Sequence, residues 1–359
     1  MLVSAIPART SAPIDLAALD AVGVAAGLLL DSPVWGIEPA SGSGNNRVFR
    51  IVTPDGPVAL KFYPQQAADP RDRMGPEVAG LRFLAQFGVS QVPGVLADSP
   101  ELGAAAFTWL DGERVTDVRD SDIDAALRLA AELRVLVGML GATRIGPASA
   151  ATFSGNDVLQ QIRSRLNRIR AVSCEHTGLQ NFLELAFAPL FARVSAWSEG
   201  IYRDAGVSFD AMLPNSARTL SPSDFGFHNA IRITGGKLAF VDFEYLGWDD
   251  PAKLVSDFVL HPGSSLSLAH RKRFLIGART IFGGEGSLYA VRLHALHPLF
   301  GLIWVLILLN EFLPERWARR ALSADGSVHR GDVLARQLSR ARALLERIES
   351  SYATGPYVD

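Results

Sequence analysis

The sequence predicts an α+β protein in which a small β-rich N-terminal part precedes a larger, mostly helical C-terminal part. An alternating apolar run interrupted by the turn residues Pro54-Asp55-Gly56 is typical of a β-hairpin near the N-terminus. Beyond about residue 120, apolar positions recur at spacings of three and four, as they do on the buried faces of helices. Two strand-like runs between 220 and 245 are the one β-like interruption of the helical part.

Composition narrows the class of protein. The chain has 359 residues, 48% hydrophobic and 20% charged, so it can bury a sizeable core. Its formal net charge of -2 gives no reason to expect nucleic acid binding. The one cysteine, Cys174, permits no disulfide within the chain and no zinc site of the CxxC type.

Targeting signals are not evident. The N-terminus "MLVSAIPARTSAP" has no charged region followed by a long apolar stretch, so we expect no signal peptide. The most apolar segment, Leu299–Leu309, is about half of the roughly 20 residues that span a bilayer. We therefore expect this segment to be a buried helix, with no membrane span, and the protein to be cytoplasmic.

The N-terminal part is predicted to run to about residue 108. Its expected elements are a helix over 15–30, a glycine-entered hairpin over 41–63, a helix from 69 or 76 to 87, two strands in "VPGVLAD" and "GAAAFTWL", and a connector at Asp111–Val115. Pro76 suits the first turn of its helix. The β-rich lobe is thus assigned to 1–108 and the helical lobe to 109–359.

The C-terminal part is expected to begin with helices over 123–140, 156–172 and 179–197, the first capped by Ser121. The stretch "TGGK" is a tight-turn signal, so the strand-like runs on either side of it should form a hairpin. Helices are expected to resume at about Asp250 and continue to the end.

Lys61 is a candidate functional residue because lysine occurs in this chain only at 61, 237, 253 and 272. In "VALKFY" the alternation places Ala59, Lys61 and Tyr63 on one strand face and the more apolar residues on the other. A lysine in such surroundings needs a partner, and Glu77 on the next helix could supply one. Two simpler interpretations stay open: an edge-strand lysine that reaches solvent, and a first-turn acid that interacts with the helix dipole.

Gly42 and Gly44 precede the hairpin in "SGSGNNRV". Glycines there would let backbone N–H groups approach phosphates closely. The same residues also suit an ordinary structural turn, and this alternative stays open.

The stretch "SPSDFGFHNAIRI" contains Asp224 and Asn229 at the D-x-x-x-x-N spacing of kinase catalytic loops, where the aspartate orients a hydroxyl and the asparagine holds magnesium. Asp242 follows thirteen residues after Asn229, at the end of "LAFVDFEY". The predicted hairpin brings Asn229 and Asp242 to the same end, so both could bind Mg²⁺. Asp224 taken alone could equally form a turn with Gly226.

With these motifs, the sequence resembles the aminoglycoside phosphotransferase/choline kinase family, most clearly at "SPSDFGFHNAIR" and "VDFEYLGWDDPAKL". The resemblance implies a bilobal protein-kinase-like fold, ATP or GTP as donor, and Mg²⁺. It assigns Lys61 and its partner Glu77 to the nucleotide, Asp224 as catalytic base, and Asn229 and Asp242 as metal ligands. Phe107 to Leu110, with Trp109, would lie beside the adenine.

The chain departs from the family pattern at two places. The family usually has a histidine two residues before the catalytic aspartate, and this chain has Pro222. Glu244 stands at the third position of what is D-F-G in protein kinases, and little room for an activation loop follows, which disfavours a protein kinase. We interpret His228 as a packing or hydrogen-bonding residue, Asp250 as a helix cap and His261 as a helix terminus.

The acceptor is expected to be a hydroxyl of a small molecule. Glu244, Asp249, Asp250 and Asp257 would permit a polycation, and Tyr245, Trp248, Trp304 and Trp317 would permit a choline-like cation. Trp304 is more simply interpreted as a core residue than as a ligand contact. The arginines at 163, 168 and 170 are interpreted as a solvated helix face. A sugar or amino sugar is the preferred acceptor, because neither charge extreme is evident.

Three function classes follow from the sequence: a small-molecule kinase, which is preferred; a nucleotide-binding pseudokinase that acts as a regulatory or scaffold module; and a protein kinase. The pseudokinase is suggested by Pro222 and the weak glycine motif. The sequence does not indicate an oligomeric state.

Overall fold

The structure is a computed structural model that describes residues 19–40, 47–63, 71–264, 266–317 and 329–356. The chain divides into two compact units: unit 1 comprises Met1–Arg114 and Ala230–Tyr245, and unit 2 comprises Val115–Asn229 and Leu246–Asp359. The sequence places its boundary near residue 108 and does not anticipate the second segment of unit 1.

Unit 1 is built on a five-stranded sheet of order β1-β2-β3-β5-β4, in which every pairing is antiparallel. The strands are β1 Gly36–Ala40, β2 Arg47–Thr53, β3 Gly56–Phe62, β4 Val95–Ser99 and β5 Ala104–Thr108. Strands β2 and β3 form the predicted hairpin around the Pro54-Asp55-Gly56 turn, where Gly56 has a φ of 115°. The strands predicted in "VPGVLAD" and "GAAAFTWL" are β4 and β5.

Helix α1, Leu19–Leu30, packs on one face of this sheet. Val58, Leu60 and Phe62 of β3 share a buried apolar cluster with Val22 and other residues of α1. The alternation predicted for β3 is therefore confirmed, and it leaves Lys61 to the opposite face. The predicted helix positions 15–18 lie outside the described residues.

Helix α2, Met74–Gln86, follows β3 and has Pro76 in its first turn, as predicted. Its buried side includes Glu77, Leu81 and Leu84. A glutamate among buried leucines needs a cation to compensate its charge. The polar face of β3 carries such a cation, Lys61.

A second sheet of unit 1, of order β6-β8-β9, consists of β6 Gly112–Arg114, β8 Ala230–Ile233 and β9 Leu238–Phe240. The hairpin predicted around "TGGK" is confirmed, with the Ile233 amide donating to the Lys237 carbonyl at 2.9 Å. The connector predicted at Asp111–Val115 is wrong in part, because β6 lies within it and pairs with β8. A three-residue strand is too short to show an alternation in the sequence.

Unit 2 is mostly helical, with one two-stranded pairing of β7, Thr219–Ser221, and β10, Gly247–Asp249. Its α-helices include α3 Asp120–Val135, α4 Gly155–Ser173, the short α5 Thr177–Phe182, α6 Ala188–Asp204, α7 Pro251–Leu260, α8 Leu268–Phe282, α9 Leu288–Leu308 and α10 Arg330–Ser351. A π-helical stretch, Leu183–Phe187, joins α5 to α6, so the helix predicted over 179–197 lies inside a longer, interrupted one.

Three helix beginnings show how the helices are capped, and for two of them the sequence predicts the cap, at Ser121 and Asp250. Helix α3 begins after Arg119, whose amide donates to the Asp122 carboxylate at 2.9 Å, so the predicted Ser121 cap is wrong. An acid at the third helical position closes this end more effectively than a serine inside the first turn. Ser154 caps α4, and Asp250 caps α7 by accepting from the Ala252 amide at 2.8 Å, as predicted for Asp250.

Helix α9 contains all but the last residue of the apolar segment Leu299–Leu309 that the sequence assigns to a buried helix. By length and composition, Leu288–Phe312 could cross a membrane, but 72% of its most apolar window is buried inside the protein. Burial of this kind is typical of a core helix, since lipid-facing side chains would be exposed on the protein surface.

The Gly247 position is expected to tolerate no side chain. A Cβ on Gly247 would approach the Ala148 nitrogen to 2.3 Å and the Pro147 carbonyl carbon to 2.4 Å, and both are backbone atoms. We expect Gly247→Ala to lower the free energy of unfolding by about 1–3 kcal/mol, the usual cost of overpacking. Gly331→Ala is the matched control, because a Cβ there meets nothing within 4 Å. Urea denaturation of both variants measures the difference; equal stability would contradict the tight approach.

Candidate active site

Lys61 lies at the centre of a buried charge cluster in unit 1. Its Nζ donates to Glu77 Oε2 at 2.7 Å and to Asp242 Oδ1 at 2.6 Å. The Tyr63 hydroxyl donates to the same Glu77 oxygen at 2.7 Å. The Lys61–Glu77 pair predicted from the sequence is therefore formed, and the alternative of an edge lysine reaching solvent is wrong because Lys61 is only 6% exposed.

The cluster keeps the Lys61 ammonium charged. Burial by itself would lower the pKa of Lys61, but the negative charges of Glu77 and Asp242 outweigh it and raise the pKa above its usual value. An ammonium has three N–H donors, of which these carboxylates engage two. Lys61 therefore presents a permanent positive charge with donor capacity left for a further oxygen.

Asp242 occupies a strained backbone position, with a φ of 67°. The next amide, that of Phe243, donates to Glu77 Oε1 at 3.0 Å, so Glu77 holds this turn as well as Lys61. Aspartate tolerates the left-handed region better than most residues, and such strain is often found at functional positions. The Asp242 side chain is 38% exposed, which leaves part of its carboxylate open to a cation.

Four further residues of unit 1 are predicted to contact the nucleotide: Gly42, Gly44, Phe107 and Trp109. Gly42 and Gly44 lie outside the described residues. Phe107 is buried in β5, opposite Ala59, and Trp109 follows that strand, with its indole N–H donating to Asp111 at 2.9 Å. Their predicted position beside an adenine stays a prediction.

Asp224 is the centre of a second cluster, in unit 2. His228 Nε2 lies 3.0 Å and His261 Nε2 3.4 Å from Asp224 Oδ1. The two imidazole rings are stacked, with centroids 3.9 Å apart and planes 6° from parallel. Gly226 makes this arrangement possible, because a Cβ there would come within 2.8 Å of the His228 ring.

The hydrogen bonds fix the protonation pattern of these histidines. The Gly263 amide donates to His261 Nδ1 at 3.0 Å, so Nδ1 is an acceptor and the ring proton must be on Nε2. A carboxylate can only accept, so Nε2 of each histidine donates to Asp224. Both histidines therefore donate to the aspartate and hold its orientation.

Asn229 completes the cluster in unit 2. Its Nδ2 donates to the Asp224 carbonyl at 3.0 Å and to Asp224 Oδ2 at 3.2 Å. With the amide nitrogen engaged, the amide oxygen is the atom that can bind a metal ion. In unit 1, Ala230 pairs with Phe240 as the predicted hairpin requires. Asn229 belongs to unit 2 and Asp242 to unit 1, so their shared role stays a prediction.

Burial would raise the pKa of Asp224, but the hydrogen bonds and charges of His228 and His261 lower it far below its usual value of 3.8. The backbone before it is also constrained, since Ser223 has a φ of 63°. Asp224 is thus an ionised carboxylate held in a defined orientation. The sequence indicated the aspartate by its spacing, but it could not indicate His261, which is 37 residues away and reaches Asp224 only through the fold.

His228, His261 and Asp224 also have the composition of a zinc site, and their donor atoms lie within 4.8 Å of one another. Two features argue against a metal there. Both Nε2 atoms carry protons that point at the carboxylate. In addition, a metal cannot lie in the planes of two stacked parallel rings at once, although imidazole nitrogens bind metals in the ring plane. The cluster is better described as a hydrogen-bonded aspartate.

The acidic residues after β9, which the sequence suggests as contacts for a polycation, are mostly paired with basic side chains in the structure. Asp249 and Asp257 hold Lys253 at 3.2 and 2.9 Å, and burial raises the pKa of Asp249 to about 6. Asp250 pairs with the buried Arg292, whose Nε donates at 2.7 Å. In unit 1, Glu244 is buried 4.0 Å from Arg73.

The aromatic residues proposed for a choline-like cation are likewise engaged. Trp304 is 9% exposed, donates to Asp257 Oδ1 at 2.9 Å and makes a T-shaped ring contact with His261, which confirms it as a core residue. The Trp248 indole donates to the Ala142 carbonyl at 3.0 Å. Arg71 lies over the Tyr245 ring in unit 1, and Arg330 over Trp317 in unit 2. The predicted arginine face is exposed at 163, 168 and 170, and Arg168 pairs with Glu315.

Comparison with known proteins identifies the family. The family model described as "Phosphotransferase enzyme family" matches residues 36–253, more than half of the chain. The chain belongs to the phosphotransferase enzyme family. The predicted resemblance, the kinase-like α+β fold and the class of enzyme are thereby confirmed. A search of curated protein sequences found no match.

Solved structures share the fold of this phosphotransferase. Spectinomycin phosphotransferase, in complex with ADP and spectinomycin, superposes with a TM-score of 0.61 at 9% identity, covering 92% of this chain and 98% of that one. A choline kinase from Streptococcus pneumoniae gives 0.55 at 16% identity, covering 92% and 99%. A putative fructosamine-3-kinase from Thermobifida fusca gives 0.53 at 16% identity, covering 90% and 98%.

We expect the double variant His228→Gln, His261→Gln to raise the pKa of Asp224, because it loses both imidazole donors. Asp224 titrates below its unfolded value of 3.8, so its charge stabilises the fold above that pH and this contribution is lost as the pH falls. The variant should therefore lose more stability at pH 7 than at pH 2, where part of this contribution is already lost. Carboxyl NMR titration, assigned with Asp224→Asn, and urea denaturation at both pH values measure the two effects. An unchanged Asp224 titration would refute the positioning role.

Proposed function

We propose that this phosphotransferase transfers the γ-phosphoryl group of ATP, with Mg²⁺, to a hydroxyl of a small molecule, with a sugar or amino sugar as the favoured acceptor. The observation that carries the proposal is the Lys61 ammonium held between Glu77 and Asp242. Such an ammonium suits the phosphates of a nucleotide. The complex of spectinomycin phosphotransferase with ADP supports an adenine nucleotide as donor.

The proposed roles follow from the donor atoms of each unit. Lys61 has donor capacity left for a phosphate oxygen, and Glu77 keeps it oriented. The Asp242 carboxylate and the Asn229 amide oxygen are hard ligands of the kind that Mg²⁺ prefers, so these residues would hold the ion. Magnesium, when bound, neutralises charge that develops on the transferred group.

Asp224 is proposed to accept a hydrogen bond from the acceptor hydroxyl. A carboxylate offers about four lone-pair sites, and the histidines and Asn229 use three of them. The remaining site on Oδ2 can orient the hydroxyl. As the hydroxyl oxygen bonds to the γ-phosphorus and the bond to the ADP oxygen breaks, the hydroxyl proton is released towards Asp224.

A sugar acceptor, with little or no positive charge, is favoured over a polycation or a choline-like cation. Among the described residues, the acids that follow β9 are largely committed to Lys253, Arg292 and Arg73. A cation would need some of these pairs to break, and breaking a buried pair costs about 3–5 kcal/mol. A neutral sugar hydroxyl needs no such rearrangement. A soluble enzyme that meets its acceptor in the cytoplasm is consistent with this chemistry.

A panel of sugars, amino sugars, choline and aminoglycosides, incubated with labelled ATP and Mg²⁺, tests the activity directly. We expect transfer to at least one sugar or amino sugar and weaker or no transfer to choline. Stabilisation by ATP without transfer to any acceptor would favour the pseudokinase alternative and count against this proposal.

Asp224→Ala should lower turnover with the best acceptor by about 10²–10⁴-fold, the usual worth of a positioned general base, and leave nucleotide affinity nearly unchanged. The matched control is Asp210→Ala, because Asp210 is an exposed aspartate of the same unit. Turnover equal to that of the control would show that the base is assigned to the wrong residue.

Asp242→Ala should remove the Mg²⁺-dependent part of ATP affinity, since the variant lacks the proposed carboxylate ligand. Calorimetric titration of ATP with and without Mg²⁺ measures this difference. The control is Asp55→Ala, which alters an exposed turn acid of the same unit. If the variant retains the full magnesium effect, Asp242 is not a metal ligand.

A further inference from the structure

A small cavity in unit 2 lies among helices α7, α8, α9 and α10. It has a volume of about 70 Å³. A single water needs about 10–15 Å³ when cavities are measured in this way, so there is room for a group of the size of phosphate or carboxylate. Leu260 of α7 and Ile348 of α10 supply part of the apolar wall.

The polar lining of this cavity is basic. Arg271 and Lys272 come from α8, Arg347 from α10, and His297 from α9. None of the described residues that line the cavity is an aspartate or a glutamate. Three cationic side chains around one small volume produce a positive potential, which low-dielectric walls strengthen.

Two observations indicate that the cavity suits an anion. The Arg271 Nε atom is buried and has no hydrogen-bond partner within the described part of the chain, and an unmet buried donor is costly. The pKa of His297 also reflects the positive potential of the cavity. Burial is the main cause and the charges of Arg347 and Arg271 the next, and together they lower this pKa to about 3. His297 is thus neutral at pH 7, with its Nδ1 3.0 Å from the Ser256 hydroxyl.

We propose that this cavity binds a small oxyanion, the phosphate or carboxylate group of a metabolite. Guanidinium groups match such anions well because their N–H donors lie in one plane and can bind two oxygens. The bound anion would supply the missing acceptor for Arg271. The site is distinct from the residues proposed for phosphoryl transfer, although α7 connects the two: Leu260 lines the cavity, and the next residue, His261, contacts Asp224.

The test uses the full chain and reads the His297 imidazole by NMR, with His297→Gln to assign its signal. Inorganic phosphate and citrate are titrated separately, so that the two sources of oxyanion can be compared. An anion in the cavity should shift the His297 signal saturably and raise the pKa of His297 from about 3 towards its ordinary 6.5, since it offsets the arginine charges. Phosphate bound near Lys61 would not produce this dependence on the cavity arginines.

Arg347→Gln and, separately, Lys272→Gln should each weaken the anion affinity by about tenfold or more, as expected for a lost charge-assisted contact. Arg170→Gln is the control, because it removes the same charge from an exposed helix position outside the cavity. Tighter binding of phosphate than of citrate would support a phosphate-bearing ligand. Tighter binding of citrate would support a carboxylate-bearing ligand. No saturable shift with tens of millimolar of either anion, or equal affinity in all three variants, would overturn the proposal.

Discussion

The buried Lys61 ammonium is the constraint on which the candidate site of unit 1 depends. Two carboxylates surround it, and one of them, Glu77, also accepts from Tyr63 and from the Phe243 amide. Exchanging a buried pair for apolar residues is often neutral for stability, whereas removing one partner is not. The cluster is therefore poorly explained as a stability device. It is better explained by the need for a fixed positive charge that still has a free donor.

Much of this arrangement could be predicted because it depends on local periodicity. The two-residue alternation of β3 predicts that Lys61 and Tyr63 share a face, and the structure places both on Glu77. The turn before Lys237 likewise predicts the β8–β9 hairpin. These features need only a few neighbouring residues, so a single sequence contains the information.

What could not be predicted depends on contacts between distant segments. The sequence predicts His261 at a helix terminus, and the structure confirms this. Its contact with Asp224, however, requires the placement of α7 against the loop after β7. The acids around Asp250 fit a substrate pocket equally well, and the pairing of Asp250 with Arg292, 42 residues away, emerges only from helix packing. Local sequence indicates that a charge is present; the tertiary structure decides which charge compensates it.

We propose that the histidines compensate for Pro222, which stands where the family resemblance implies a histidine. The loop aspartate needs neighbours that fix its orientation, and they can come from any side. Here His228 follows Asp224 in the loop and His261 comes from the end of α7. Their donated hydrogen bonds lower the pKa of Asp224, which makes it a weak base. In the proposed transfer, a loose transition state would let the hydroxyl lose its proton late, so the orientation of Asp224 would matter more than its basicity. A strongly held, weakly basic aspartate meets that requirement.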